Sequence, residues 1–370
     1  MKLLTFSSIN SGGGSIVKLL ELVNGLADRG WHVDFISPKD FKGQKNISHH
    51  PIKKSRVLYG FFYLVQITVV ALIIVKKEKI DSIITFSLLE GIVALLVSIF
   101  SKKAKVIVFL HGDWYTGIYL SQINKYSKYL FIKMYLLIEK TVFTYSDIIL
   151  FVSKENYTRI VNRTKLDIKK SRIIYNNLNN PRTIKLSQSD KIEFKEDKII
   201  GFVGSLYAKE KGVEVLIKTF EKIHQKNQKT RLVIVGDGPD KEYLHALCKI
   251  LKIEKNVIFT GYLENPFPYI KAFDIMVLPS LHEGFNLSIL EALYCDKIVL
   301  GSKVGGVPEA LVYDELLFDP KNVEELSLKI STLIHDKNLY NKYQDLCKDR
   351  KEAFMFDWVE QMKNIILSVN

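Results

Sequence analysis

Pro279-Ser280-Leu281-His282-Glu283-Gly284-Phe285-Asn286-Leu287-Ser288-Ile289-Leu290-Glu291-Ala292-Leu293 is the stretch on which the reading turns. The apolar run Ile275–Leu278 before it reads as a strand stopped by a proline, and an apolar helical stripe begins after the polar loop. A helix N-terminus at the carboxyl end of a strand offers backbone N–H groups to phosphate. Glu283 precedes the helix and Glu291 lies just inside it. Carboxylates repel phosphate and accept hydrogen bonds from hydroxyls, so the pair suits ribose or sugar beside a phosphate site. Ser288-x-x-Glu291 also fits a capping box, in which Glu291 bonds back to the Ser288 N–H. What weighs against capping alone is the company: Pro279, Glu283 and a second glycine turn, Val304-Gly305-Gly306-Val307-Pro308-Glu309.

The chain has 370 residues, 47% of them hydrophobic, which is enough for two α/β domains and excludes wholesale disorder. Short apolar strands alternate with longer helical patterns. The first half reads as strands Leu3–Phe6, His32–Ile36, Ser82–Thr85, Lys105–Leu110, Asp147–Phe151 and Ile173–Tyr175, with helices such as Ser15–Arg29 and Leu88–Phe100. Residues 181–198 are polar and read as the inter-domain linker and the entry to the second domain. The alternation then restarts with Ile199–Val203, Arg231–Val235, Val257–Thr260, Ile275–Leu278 and Ile298–Leu300. This pattern predicts α/β architecture, two tandem doubly wound Rossmann-like domains with a cleft between them. The expected domains are 1–180, 181–352 and a terminal helix over 353–370. Cys248, Cys295 and Cys347 have no metal-ligand spacing and read as reduced thiols of a cytoplasmic protein. The short apolar start, Leu3–Phe6, reads as a strand rather than a leader.

The net charge of +13 is unevenly distributed: residues 1–180 hold 26 Lys and Arg against 12 Asp and Glu. The excess predicts an anionic partner for the first half, a membrane surface in preference to nucleic acid, for which no motif is present. Val57–Val75 is 19 uncharged residues, the minimum for a membrane span. A buried helix and a helix lying at the membrane surface are its other readings. Lys125–Lys140 mixes Tyr126, Tyr129, Phe131 and Tyr135 with lysines and suits a headgroup interface or a core helix.

Three further turns bear on chemistry. Ser11-Gly12-Gly13-Gly14-Ser15 follows the first strand, as an anion-approaching loop or a plain tight turn, and lacks dinucleotide-fingerprint spacing. His111-Gly112-Asp113 ends the strand Lys105–Leu110, where a histidine either meets ligand or caps the loop. Val203-Gly204-Ser205-Leu206 ends another strand, and Lys211-Gly212 reads as opening the next helix, with Lys211 as a point charge for a diphosphate.

Taken in order, Gly12-Gly13-Gly14, His111, Ile173-Ile174-Tyr175-Asn176-Asn177, Val203-Gly204-x-Leu206…Lys211-Gly212, Val235-Gly236-Asp237-Gly238-Pro239, Glu283-x7-Glu291, Gly305-Gly306-Val307-Pro308-Glu309 and Phe356-Asp357-Trp358 resemble the family-4 retaining glycosyltransferases of the GT-B type. The resemblance spans nearly the whole chain. It implies sugar transfer from a nucleoside-diphosphate donor, a UDP-sugar favoured, to a glycan hydroxyl. It implies Glu291 on the ribose, Glu283 on the sugar hydroxyls, and Lys211 with the backbone of Phe285, Asn286, Leu287 and Ser288 on the diphosphate. Gly204 and Ser205 would lie on that side too, His111 near the reacting centre, and Gly13 and Gly14 along the leaving phosphate. A last helix would cross back to the first domain. No metal and no cofactor are expected. The acceptor would be a lipid-linked or cell-surface polysaccharide, such as capsule or lipopolysaccharide, made by an enzyme peripheral on the inner face of the cell membrane. The chain departs from the pattern at Ser205, where the family usually carries arginine, and at Asn177, where glycine is common. Two rival functions fit parts of the pattern: a sugar-nucleotide epimerase on the same fold, and a non-enzymatic binder of anionic polymer.

Overall fold

β1 (Lys2–Phe6) and α1 (Gly14–Asp28) open a strand–helix alternation. The computed structural model describes residues 1–7, 14–38, 41, 44–53, 59–101, 104–112, 125–165, 168–178, 181–194 and 197–369. The alternation continues through β2 (His32–Ser37), β3 (Ile47–Pro51), α2 (Tyr59–Lys77), β4 (Ser82–Thr85), α3 (Leu88–Ser98), β5 (Lys105–Leu110), α4 (Lys125–Tyr145), β6 (Ile148–Phe151), α5 (Lys154–Thr164) and β7 (Ser171–Ile173). The sheet order is β3-β2-β1-β4-β5-β6-β7, every pair parallel. The order reverses between β1 and β4, the place where open α/β sheets bind ligands. Strands such as Val106–Leu110 are apolar throughout because helices cover both faces.

Contacts divide the chain into unit 1, Met1–Asn176 with Asp357–Asn370, and unit 2, Asn177–Phe356. The C-terminal helix, Trp358–Val369, therefore lies in the core of unit 1. Trp358 is fully buried there, and Arg29 pairs with Asp357 at 2.6 Å. A Cβ on Gly25 of α1 would come within 2.6 Å of the Val359 side chain, so the two helices approach through that glycine.

Unit 2 contains α6 (Pro181–Ser187), β8 (Lys198–Val203), α7 (Ala208–Lys211), α8 (Val213–Lys226), β9 (Thr230–Val235), α9 (Lys241–Ile250), β10 (Val257–Gly261), α10 (Phe267–Ile270), β11 (Ile275–Leu278), α11 (Leu287–Tyr294), β12 (Ile298–Ser302), α12 (Val307–Leu311), β13 (Leu317–Phe318), α13 (Val323–His335) and α14 (Lys337–Glu352). Its sheet, β10-β9-β8-β11-β12-β13, is again all parallel and reverses order beside its first strand.

The structure differs from the sequence reading at several points, β7 at Ser171–Ile173 instead of Ile173–Tyr175 among them. Residues 181–198 include a helix, α6, and end on the first residue of β8. β3 and β13 were not anticipated. α2 agrees with the buried-helix reading of Val57–Val75, burying Tyr63, Ile67, Ala71 and Ile74 in the core of unit 1, and among the described residues no helix is long and apolar enough to cross a membrane. Finally, Lys211 closes the one-turn α7 instead of opening α8, because Gly212 takes a left-handed φ of 61° between the two helices.

Candidate functional site

In unit 2 the polar groups gather at the carboxyl ends of β8 and β11. Glu283 is buried, 9% exposed. Its Oε2 lies 2.9 Å from Lys211 Nζ and accepts from Asn286 Nδ2 at 2.9 Å and Ser280 Oγ at 3.2 Å. Burial pushes the carboxyl up, but the Lys211 charge and the hydrogen bonds from Lys211, Asn286 and Ser280 outweigh it and hold it below the usual range. Oε1 accepts the Gly284 N–H at 3.3 Å. A carboxylate has about four acceptor sites, so Oε1 retains capacity for a ligand hydroxyl.

Two glycines let the loops close around this carboxylate. A Cβ on Gly212 would stand 1.9 Å from the Pro279 carbonyl oxygen, and one on Gly305 would stand 1.9 Å from that of Glu283. Gly305 has φ 54°, a conformation side chains disfavour in any case. The N–H groups of Leu281 and His282 both donate to the Glu210 carbonyl, at 2.7 and 3.1 Å, tying the Glu283 loop to α7. Lys211 is thereby placed by main-chain contacts on both sides.

The cap of α11 is Asn286, whose Oδ1 accepts the Ser288 N–H at 2.7 Å while its Nδ2 serves Glu283. Ser288 is not the cap, so Glu291 is not the third residue of a capping box; it sits half-buried a turn into the helix. Phe285 is buried against Phe354, ring centroids 5.6 Å apart, so its side chain belongs to the core and only its main chain is available. Leu287 and Ser288 are half-exposed in the first turn, and Gly204 and Ser205 follow β8, also half-buried.

Unit 1 holds His111 at the end of β5. Its ring stacks on Phe86 at 5.2 Å and tilts against Phe109 at 4.3 Å. Nε2 is shielded and has no hydrogen-bond partner among the described residues. Burial and the charge of Lys18 push its pKa down to about 3, so the imidazole is neutral. Of the two readings of this histidine, ligand contact or loop cap, neither is decided by these contacts: the side chain is half-buried, with two phenylalanine rings against it. Gly14 is the exposed first residue of α1, and Gly13 and Asp113 lie outside the described residues.

Lys18 was missed by the sequence reading. It is fully buried, with Nζ 2.7 Å from Glu21 and 3.7 Å from the Trp358 ring centroid. Burial pushes it down to about 8, against the pull of Glu21. The sequence did hold a signal: Lys18 shares the inner face of α1 with Leu22 and Leu26, where a charge needs a partner. Elsewhere His32, Asp34 and Glu78 offer ligand atoms within 4.8 Å of one another. Lys2 pairs with Glu78, and His50 lies 2.7 Å from Asp34, so that cluster is balanced internally.

The neutral state of His111 has a measurable consequence. The unfolded imidazole titrates near its ordinary 6.5 and the folded one near 3, so the unfolded chain binds a proton the fold refuses. Stability should fall as pH drops from about 6.5 toward 3. His111→Phe is expected to keep the stacking and flatten that acid limb, read from urea midpoints at neutral and mildly acid pH. An unchanged slope would show that His111 is not the titrating group.

Residues 12–179 match the family described as Glycosyltransferase Family 4, and residues 185–350 match Glycosyl transferases group 1. An uncharacterised glycosyltransferase of Methanocaldococcus jannaschii is 31% identical over 271 residues, 71% of this chain and 67% of that one. The N-acetylgalactosamine-N,N'-diacetylbacillosaminyl-diphospho-undecaprenol 4-alpha-N-acetylgalactosaminyltransferase of Campylobacter jejuni is 27% identical over 282 residues, 75% of this chain and 74% of that one. Among solved structures, Anabaena Alr3699/HepE in complex with UDP superposes with a TM-score of 0.76 at 19% identity, covering 100% of both chains. Two parallel sheets of this order, with these matches, define a glycosyltransferase of the two-Rossmann GT-B type. The chain belongs to glycosyltransferase family 4.

Proposed function

We propose that this glycosyltransferase moves a sugar from a nucleoside-diphosphate donor, a UDP-sugar, to a hydroxyl of a lipid-linked or cell-surface glycan, with retention at the anomeric carbon. The observation that carries the reading is the buried Glu283–Lys211 pair beside the start of α11. An incoming diphosphate offers Lys211 a second anionic partner, and the first-turn N–H groups of α11 lie beside it. Glu283, kept ionised by Asn286 and Ser280 as well as Lys211, accepts sugar hydroxyls. Glu291, a turn into α11, accepts the ribose hydroxyls. As the bond to the leaving phosphate breaks, Lys211 and the N–H groups stabilise the charge that develops. The acceptor hydroxyl attacks from the face the phosphate leaves, and its proton passes to the leaving oxygen.

The relative from Campylobacter jejuni is named for a diphospho-undecaprenol acceptor, and the Anabaena structure holds UDP; both support this choice of donor and acceptor class. In this reading the lipid-linked acceptor is what would hold the enzyme at the cytoplasmic face of the cell membrane. Membership of a transferase family favours this reading over the epimerase and the polymer-binding protein.

Glu291→Gln tests the ribose assignment. A hydrogen bond to a charged acceptor is worth roughly 1.5–3 kcal/mol, so donor affinity should fall about ten- to a hundredfold. Thermal shifts against UDP-, GDP- and ADP-sugars give the measurement, since a ligand at about a hundred times its Kd adds roughly 2.7 kcal/mol. Unchanged affinity for every donor that protects the parent chain would remove Glu291 from the site.

A further inference from the structure

Three neighbouring helices of unit 1 turn apolar faces away from the sheet. On α2 the exposed residues are Phe62, Val65, Val69 and Ile73, a helical stripe that ends at Lys76. On α3 they are Leu89 and Leu96, with Ile99 following. On α4 one stripe reads Tyr126, Leu130, Lys133, Leu137 and Lys140. α3 packs against both α2 and α4, so the three stripes lie side by side. The opposite faces of the same helices, Tyr63, Ile67, Val93, Val97, Val142 and Phe143, share one core over the sheet. Burial on the inner side explains half of each helix. It leaves unexplained why the outer half is also apolar, since surface helices of globular proteins present polar residues there.

The charge on this face has a single sign. α2 holds no carboxylate, and the only ones on α3 and α4 are Glu90 and Glu139, both buried, the latter paired with Arg163. Lys76, Lys77, Lys133 and Lys140 are exposed. Apolar side chains flanked by long cationic ones match a bilayer: the apolar groups reach the acyl boundary while lysine stems let the ammonium groups stay among anionic headgroups. A second copy of the chain would set these lysines against one another. No described helix is long and apolar enough to cross the membrane, so the fit is to its surface.

We infer that the outer face of α2, α3 and α4 is a docking surface for an anionic lipid bilayer. The inference deepens the proposed lipid-linked acceptor by naming the surface that would meet the lipid.

The test is co-sedimentation of the whole chain, without donor, with vesicles of phosphatidylcholine mixed with phosphatidylglycerol and with vesicles of phosphatidylcholine alone. Binding should require phosphatidylglycerol and weaken at high salt. Lys133→Gln with Lys140→Gln should lower it about fivefold per lysine, about twenty-five-fold together. Val69→Gln, Leu96→Gln and Leu137→Gln together should lower it at least about tenfold, with an unchanged urea midpoint because all three are exposed. If the triple variant fails to fold, the lysine pair decides. Equal partition to both vesicle types overturns the inference, as does parent-like binding of either variant. A chain that ignores vesicles but self-associates through this face in light scattering overturns it too. Sugar transfer plays no part in the readout: a chain that docks but transfers nothing sinks the proposed function alone, and one that transfers to soluble glycan without docking sinks this inference alone.

Discussion

Lys211→Ala is expected to abolish nearly all turnover and to destabilise unit 2. The ammonium does two things: it neutralises Glu283, and under the proposed function it meets the charge that develops on the leaving diphosphate. Its loss leaves a buried carboxylate with Asn286, Ser280 and the Gly284 N–H as its partners among the described residues. Breaking a buried pair from one side costs about 3–5 kcal/mol, and partial exposure of Lys211 puts this one toward the lower end. Loss of a donor aimed at a developing oxyanion costs about 10²–10³ in kcat. Adding Glu283→Gln should restore the urea midpoint without restoring turnover, which separates the two roles. The pH dependence follows from the direction of the shift. Glu283 has a folded pKa below its unfolded value, so its contribution is present above the unfolded pKa and is lost as pH falls through the folded one. Ser205→Arg, which adds a positive charge to the loop after β8, should partly rescue donor binding of Lys211→Ala. Strictly additive effects in that double-mutant cycle would place Ser205 away from the phosphates.

The second large effect belongs to Lys18→Met. The methionine fits the volume but leaves Glu21 without its cation and removes the contact over Trp358. A loss of about 1.5–3 kcal/mol is expected, the worth of a hydrogen bond to a charged group. Lys18→Met with Glu21→Gln should recover most of it, because replacing both charges can be nearly neutral. The parent chain should also gain stability as pH rises from about 8 toward 10.5. The folded Lys18 loses its proton near 8 and the unfolded one keeps it to its ordinary value, so the unfolded chain binds more protons across that window. Urea midpoints of parent and double variant across that range provide the check; parallel curves would mean that Lys18 titrates as an ordinary lysine.

Much of this was legible in residues. Ile275–Leu278 stopping at Pro279 announced the strand and its turn, and the strand matched to the residue, because four buried aliphatics admit one reading. Glu283 and Lys211 were both singled out, but not their contact: the two are 72 residues apart in sequence, and their pairing depends on Gly212 and Gly305 letting the loops touch. β3 was illegible because Ile47-Ser48-His49-His50-Pro51 is an edge strand with one aliphatic residue and no alternation. β13 is two residues long, held by pairing to β12 rather than by pattern. His111 was found by position, yet its environment is set by Phe86 and Lys18 from other elements, which spacing cannot show.

The C-terminal helix carries a consequence for the order in which the chain is made. Trp358, under Lys18 in the core of unit 1, leaves the ribosome only after the whole of Asn177–Phe356 has been synthesised. At about 5–20 residues per second that delay is on the order of ten to forty seconds. Unit 2 is one uninterrupted segment and can close as it emerges. Unit 1 waits with the inner face of α1 uncovered, its buried lysine wet and its glycine notch at Gly25 empty, until its last helix arrives. The first half of the gene thus encodes the part that finishes last, and a nascent chain stalled anywhere before Trp358 presents an incomplete core to chaperones and proteases.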